Sequence, residues 1–125
     1  MNQLQLKRFS TRQRLKSFVY AFSGIRYFFQ REHNAWIHGV AAILVLMFAF
    51  LMKISAIEMI AILVSIALVW ITEMFNTAIE SIMDHLSPGQ HPNVKVIKDL
   101  AAGAVLIAAF IAFIIGLIIF IPKLL

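Results

Sequence analysis

Four polar side chains interrupt an otherwise apolar stretch: Glu73, Asn76, Glu80 and Asp84. Their spacings put them, at about 100° per residue, within roughly 80° of one another on a single helix face. Ionisable groups at the edge of a membrane span are costly to place there and mark sites. Carboxylate and amide oxygens suit a hard divalent cation, and magnesium in particular uses one or two carboxylates together with substrate phosphates. Phosphoryl transfer from ATP needs such a metal, a cation near the phosphates and a base for the acceptor hydroxyl. Glu73 is nearest the apolar run, and Glu80 lies about two turns, roughly 10 Å, further along the axis. That order suits a lipid hydroxyl at Glu73 and a metal-bound nucleotide at Glu80. The plainer alternative is that the four are solvated or paired across helices, with Asp84 capping its helix.

Other segments supply what the face lacks. Glu32 precedes the first apolar run, and Lys98-Asp99 opens the last one. The histidines at 33, 38, 85 and 91 make no metal set by spacing, so zinc is not expected. No Walker sequence is present and no Gly-rich kinase loop precedes a lysine, which excludes a soluble nucleotide fold.

The elements that carry these residues follow from hydropathy. The chain has 125 residues, 62% of them hydrophobic and 14% charged, with a mean hydropathy of +0.89. A soluble domain of this size could not bury so much apolar side chain, so the surplus faces lipid. One all-α membrane domain over residues 1–125 is expected. Residues 1–10 have weak periodicity and are expected to be a frayed start. Over 11–31, Leu15, Phe18, Val19, Phe22, Ile25 and Phe29 recur at helical spacing among Arg12, Arg14, Lys16 and Arg26. This predicts a basic amphipathic helix in the membrane interface. Membrane helices are predicted over 35–52, 56–84 and 95–121. The second span is apolar only from Met59 to Ile71 and must continue as helix through the polar face to complete its crossing. Pro88-Gly89 and Pro92 break the helix between the last two spans, and Pro122 is expected to end the third. Within that span Ala104, Ala108, Ala112 and Gly116 form a stripe that allows close helix packing in lipid.

Charge sets the expected topology. Seven of the eleven Lys and Arg residues precede residue 32. The net charge of +5 therefore points to an anionic membrane surface, not to nucleic acid. Three crossings then put the N-terminus and the polar cluster in the cytoplasm and the C-terminus outside. Glu58 is left at the outer end of the second span in a structural role. A secretory signal peptide is not expected. There is no cysteine, which removes disulfide and thiolate chemistry.

The run Glu73-x-x-Asn76-Thr77-Ala78-Ile79-Glu80-x-x-x-Asp84, with Lys98-Asp99 and Ala104-Val105-Leu106 beyond it, is similar to the signature of the prokaryotic diacylglycerol kinase and undecaprenol kinase family. Tyr20, Gly24, Arg26 and Glu32 fit the same pattern. The resemblance extends over about residues 12 to 120. It implies an integral kinase of the bacterial inner membrane, a homotrimer with three membrane helices and one surface helix per subunit. Such an enzyme transfers the γ-phosphate of ATP to a lipid alcohol with magnesium. The resemblance assigns Glu73 as catalytic base and Glu32 with Glu80 as metal ligands. It places Tyr20, Asn76, Glu80, His91, Lys98 and Asp99 at the nucleotide, with Arg26, Asn34 and Asp84 in support. Ser23, where a Lys is common, and Ala35-Trp36, where a Phe-Arg pair is usual, depart from the pattern. His38 resembles the undecaprenol kinase branch. Diacylglycerol is the expected lipid, with undecaprenol as the alternative. A non-enzymatic transporter or channel subunit is the alternative of another class, but it calls for acids near the bilayer centre and leaves Lys98-Asp99 unexplained.

Overall fold

The computed structural model describes residues 8–89 and 91–125. They form four helices: α1 (Thr11–Arg31), α2 (His33–Leu51), α3 (Ala56–Leu86) and α4 (Pro92–Leu124). Most of the expected frayed start, residues 1–7, lies outside the described residues. The chain divides into two units, one containing α1 and the other Glu32–Leu125.

Within the first unit α1 has the bounds that its periodicity predicts. Ser10 Oγ accepts the Gln13 amide at 3.4 Å at the helix start. Leu15, Phe18, Val19 and Phe22 are exposed along it.

In the second unit, α2, α3 and α4 are each long and apolar enough to cross a membrane. α3 packs antiparallel along α4 over much of its length and touches α2 more lightly. Small residues permit the α2 approach. Ala35, Ala42 and Ala49 recur every seven residues and are all buried, so a stripe of methyl groups runs along the α2 face that meets α3. Ala49, Ile62 and Ile119, one residue from each helix, form the core near the end of α2 that leads into α3.

The turn between α2 and α3 is closed by backbone bonds. The Ile54 amide donates to the Ala49 carbonyl at 3.3 Å and the Lys53 amide to the Phe50 carbonyl at 3.2 Å. This is the paired C-terminal pattern that requires a left-handed residue, and Lys53 supplies it with φ of 52°. α3 then starts in a capping box. Ser55 Oγ accepts the Glu58 amide at 3.2 Å, and Glu58 Oε1 accepts the Ser55 amide at 3.0 Å. The expected structural role of Glu58 is therefore found, and Lys123 Nζ adds an ion pair to it at 3.2 Å.

Several boundaries differ from the sequence reading: α2 covers His33–Leu51 and not 35–52, α3 runs two residues past 84 to Leu86, and both ends of α4 move. α4 begins at Pro92, three residues earlier than expected. Pro92 stands in the first turn, where its missing N–H costs nothing, and His91 Nδ1 caps the helix by accepting the Asn93 amide at 3.1 Å. Nor does Pro122 end α4, which runs on to Leu124. Proline's fixed φ is helical, and the Leu125 amide still reaches the Ile121 carbonyl at 3.2 Å.

Candidate functional site

Glu73 is the most secluded charged group among the described residues, with 5% of its surface exposed. A buried carboxylate needs a partner. It has one in His38 on α2, whose Nε2 lies 3.1 Å from Glu73 Oε1. On α2, His38 falls about 60° and 40° around the axis from Ala35 and Ala42, on the face that approaches α3. The ring also lines a cavity of about 190 Å³ with Val69, Trp70 and Phe113. Sequence reasoning weighed His38 as a metal ligand and as a mark of the undecaprenol kinase branch, and missed this pairing. A histidine inside an apolar span is itself the signal that pointed there.

One turn along α3, Asn76 Nδ2 donates to Glu80 Oε1 at 3.3 Å. Asn76 Oδ1 is buried with no hydrogen-bond partner among the described residues. Buried acceptors are nearly always bonded, so an orphan on this face marks a place for a donor or cation. Asp84 is not a cap. α3 continues to Leu86, and Asp84 Oδ1 accepts from Lys98 Nζ on α4. Lys95 Nζ meets Asp99 Oδ2 at 2.5 Å on the same helix.

These last groups border a cavity of about 640 Å³ between the end of α3 and the start of α4, with Asp84, Ser87, His91, Lys95, Lys98 and Asp99 in its walls. Its size is that of a small-molecule site. Carboxylates, two lysines and an imidazole converge there, chemistry that suits a polyphosphate with its counter-ion.

The structure thus brings together Glu73 with His38, Asn76 with Glu80, and Asp84 with Lys98. Glu32 sits at the N-cap of α2 without a side-chain capping bond, and Asn34 is exposed in its first turn. Neither is joined to Glu80 by a hydrogen bond among the described residues. Among those residues no three His, Asp or Glu side chains gather closely enough to hold a metal by themselves. Tyr20 and Arg26 lie on α1 in the first unit, with Tyr20 exposed.

The model of the family described as prokaryotic diacylglycerol kinase matches residues 19–120. The undecaprenol kinase of Bacillus subtilis (strain 168) is 45% identical over 109 residues, covering 87% of this chain and 89% of that protein. A diacylglycerol kinase of Synechocystis is 42% identical over 113 residues, 89% of this chain and 64% of that longer protein. The diacylglycerol kinase of Escherichia coli (strain K12) is 32% identical over 98 residues, 78% and 80% of the two chains. With a family match over most of its length, the chain belongs to the prokaryotic diacylglycerol kinases and is a lipid kinase, a phosphotransferase with an alcohol acceptor.

Proposed function

We propose that this chain transfers the γ-phosphate of ATP, with magnesium, to the hydroxyl of diacylglycerol, giving phosphatidate. The observation that carries this reading is the grading of α3: a buried carboxylate at Glu73, then Asn76 and Glu80, then charged groups around a cavity at its end. Counted from Ala56, Glu73 lies about 26 Å along the axis and Glu80 about 36 Å, against a hydrocarbon core of about 30 Å. The carboxylate is then at the level where a lipid hydroxyl sits, and the rest is in water.

Glu73 is the base that takes the proton of the acceptor hydroxyl. Asn76, Glu80, His91, Lys98 and Asp99 hold the nucleotide, with Asp84 and Asn34 in support. For Tyr20 and Arg26 the family resemblance alone carries the corresponding nucleotide and supporting roles. Glu32 and Glu80 would hold the magnesium ion. The oxygen donors fit it: Glu80 Oε1 accepts from the Asn76 amide nitrogen, and the amide oxygen of the same side chain has no partner among the described residues. The ion would neutralise charge on the phosphates.

The same reading makes residues 1–125 one multi-pass domain of the bacterial inner membrane. The site is cytoplasmic and the C-terminus outside. α1, with exposed Leu15, Phe18 and Phe22 beside Arg12, Arg14 and Lys16, lies in the interface. A homotrimer would cover part of the apolar surface that Ile107, Phe110 and Phe113 expose on α4. Family membership favours this enzyme over a channel subunit.

Undecaprenol is the second acceptor to test, because the Bacillus relative is named for it and matches over 89% of its length. Purified protein in mixed micelles, given ATP, magnesium and each lipid in turn, decides the matter. Phosphatidate formation is expected. Undecaprenyl phosphate alone would move the acceptor, and no phosphorylated lipid would end the kinase reading for this chain.

A further inference from the structure

We propose that His38 is a positioning residue for Glu73, holding Oε1 so that Oε2 is presented to the acceptor hydroxyl. This rests on the reading of Glu73 as the base.

A carboxylate on a long side chain has three torsions to fix before one oxygen can serve as a base. Glu73 is buried, and among the described residues its one side-chain hydrogen bond is to His38 Nε2 at 3.1 Å. That bond comes from a different helix, so it sets the carboxylate against α2 and not only within its own turn. The ring is poorly explained as filling. Its side chain is 27% exposed and borders a cavity, where an aliphatic residue would pack at lower cost. The flanking Ala35 and Ala42 are buried, which lets α2 come close enough for an imidazole to span the gap.

With Nε2 protonated, the ring donates to Oε1 and keeps its proton throughout. The lipid hydroxyl gives its proton to Oε2 as its oxygen bonds to the γ-phosphorus. The bond from that phosphorus to the bridging oxygen breaks, and ADP leaves with the electron pair. The Glu73 carboxylic acid then returns its proton to water. A base displaced by about 1 Å can cost on the order of a hundredfold in rate.

The test is steady-state transfer by the full chain in micelles, with the lipid that the unaltered protein phosphorylates. His38→Ala is expected to lower kcat by about a hundredfold while KM for ATP stays unchanged. His38→Gln, which can offer a donor at similar reach, is expected to recover most of that loss. In a Glu73→Gln background, His38→Ala is expected to add nothing, since residues that act as a unit are not additive. Wild-type kcat in His38→Ala, equal impairment in His38→Gln, or a further loss on top of Glu73→Gln would each overturn the proposal. If His38→Ala fails to fold, His38→Asn takes its place, with a donor held short of Oε1. A full kcat there would likewise overturn the proposal. Glu73→Gln alone separates the two levels. Undiminished transfer in it removes the base reading, and positioning with it. Collapsed transfer together with normal His38 variants removes positioning alone.

Discussion

Lys98 on α4 bonds to Asp84 on α3, tying the two helices on either side of the turn that joins them. Both groups also border the larger cavity, so the pair has a structural and a ligand-facing aspect. They are partly exposed, with 35% and 65% of the side chains accessible, and exposed ion pairs contribute about 0–1 kcal/mol. Asp84→Asn is therefore expected to shift the unfolding midpoint only slightly. Lys98→Met should raise KM for ATP by about tenfold, the low end for a charged hydrogen bond to phosphate. Exchanging the two residues, Asp84→Lys with Lys98→Asp, should restore the pair and the midpoint but not the KM. Recovery of KM in the exchange would show that the pair, not the lysine's place, matters to the nucleotide.

At the other end of α3, Ser55, Glu58 and Lys123 fasten the helix start to the last turn of α4. The site residues all lie far along the chain from this point, so stability and catalysis should separate. Ser55→Ala removes the side-chain acceptor for the Glu58 amide and is expected to cost about 1 kcal/mol. Lys123→Met should lower the unfolding midpoint further at low salt. Neither should alter kcat or KM. A fall in kcat without a fall in midpoint would mean that this end communicates with the site.

The alanine stripe on α2 gives a graded test of helix approach. Ala49 is in the core at the end remote from His38, whereas Ala42 is one turn from it. A larger side chain at either position overpacks the α2 contact and is expected to cost about 1–3 kcal/mol. Ala49→Leu should do so with kcat largely kept. Ala42→Leu should also push the imbalance onto the His38–Glu73 bond and lower kcat. Equal kcat in the two variants at matched stability would argue that the site does not depend on the α2 approach.

The face from Glu73 to Asp84 was legible because helical spacing is a property of one segment. The extent of α1 followed from its periodicity for the same reason. The His38–Glu73 bond was not legible, since its partners are 35 residues apart and meet only through the rotational register of two helices. That register is set by buried alanines, which carry no pattern that distinguishes them from the many other apolar residues of a span. Asp84 could be read as a cap because a local pattern does not show that α3 continues or that Lys98 arrives from α4. Pro122 misled for a different physical reason. Proline disrupts a helix by what it does to the preceding turn, and near the last turn its own backbone angle still continues the helix.

Lys53 is the clearest conflict between local preference and fold. Its φ of 52° lies in the left-handed region, where a side chain costs about 1–2 kcal/mol and where helix ends usually place glycine. The Lys53 and Ile54 amides need that conformation to reach the Phe50 and Ala49 carbonyls. Lys53→Gly should keep both bonds and relieve the strain, offset in part by the greater freedom of glycine in the unfolded chain. The expected net gain is about 0.5–1 kcal/mol, seen as a raised unfolding midpoint with unchanged kcat. Lys53→Val should lower the midpoint, because a β-branched side chain tolerates this region least. A midpoint that falls in Lys53→Gly would show that the lysine side chain contributes more than the backbone strain costs.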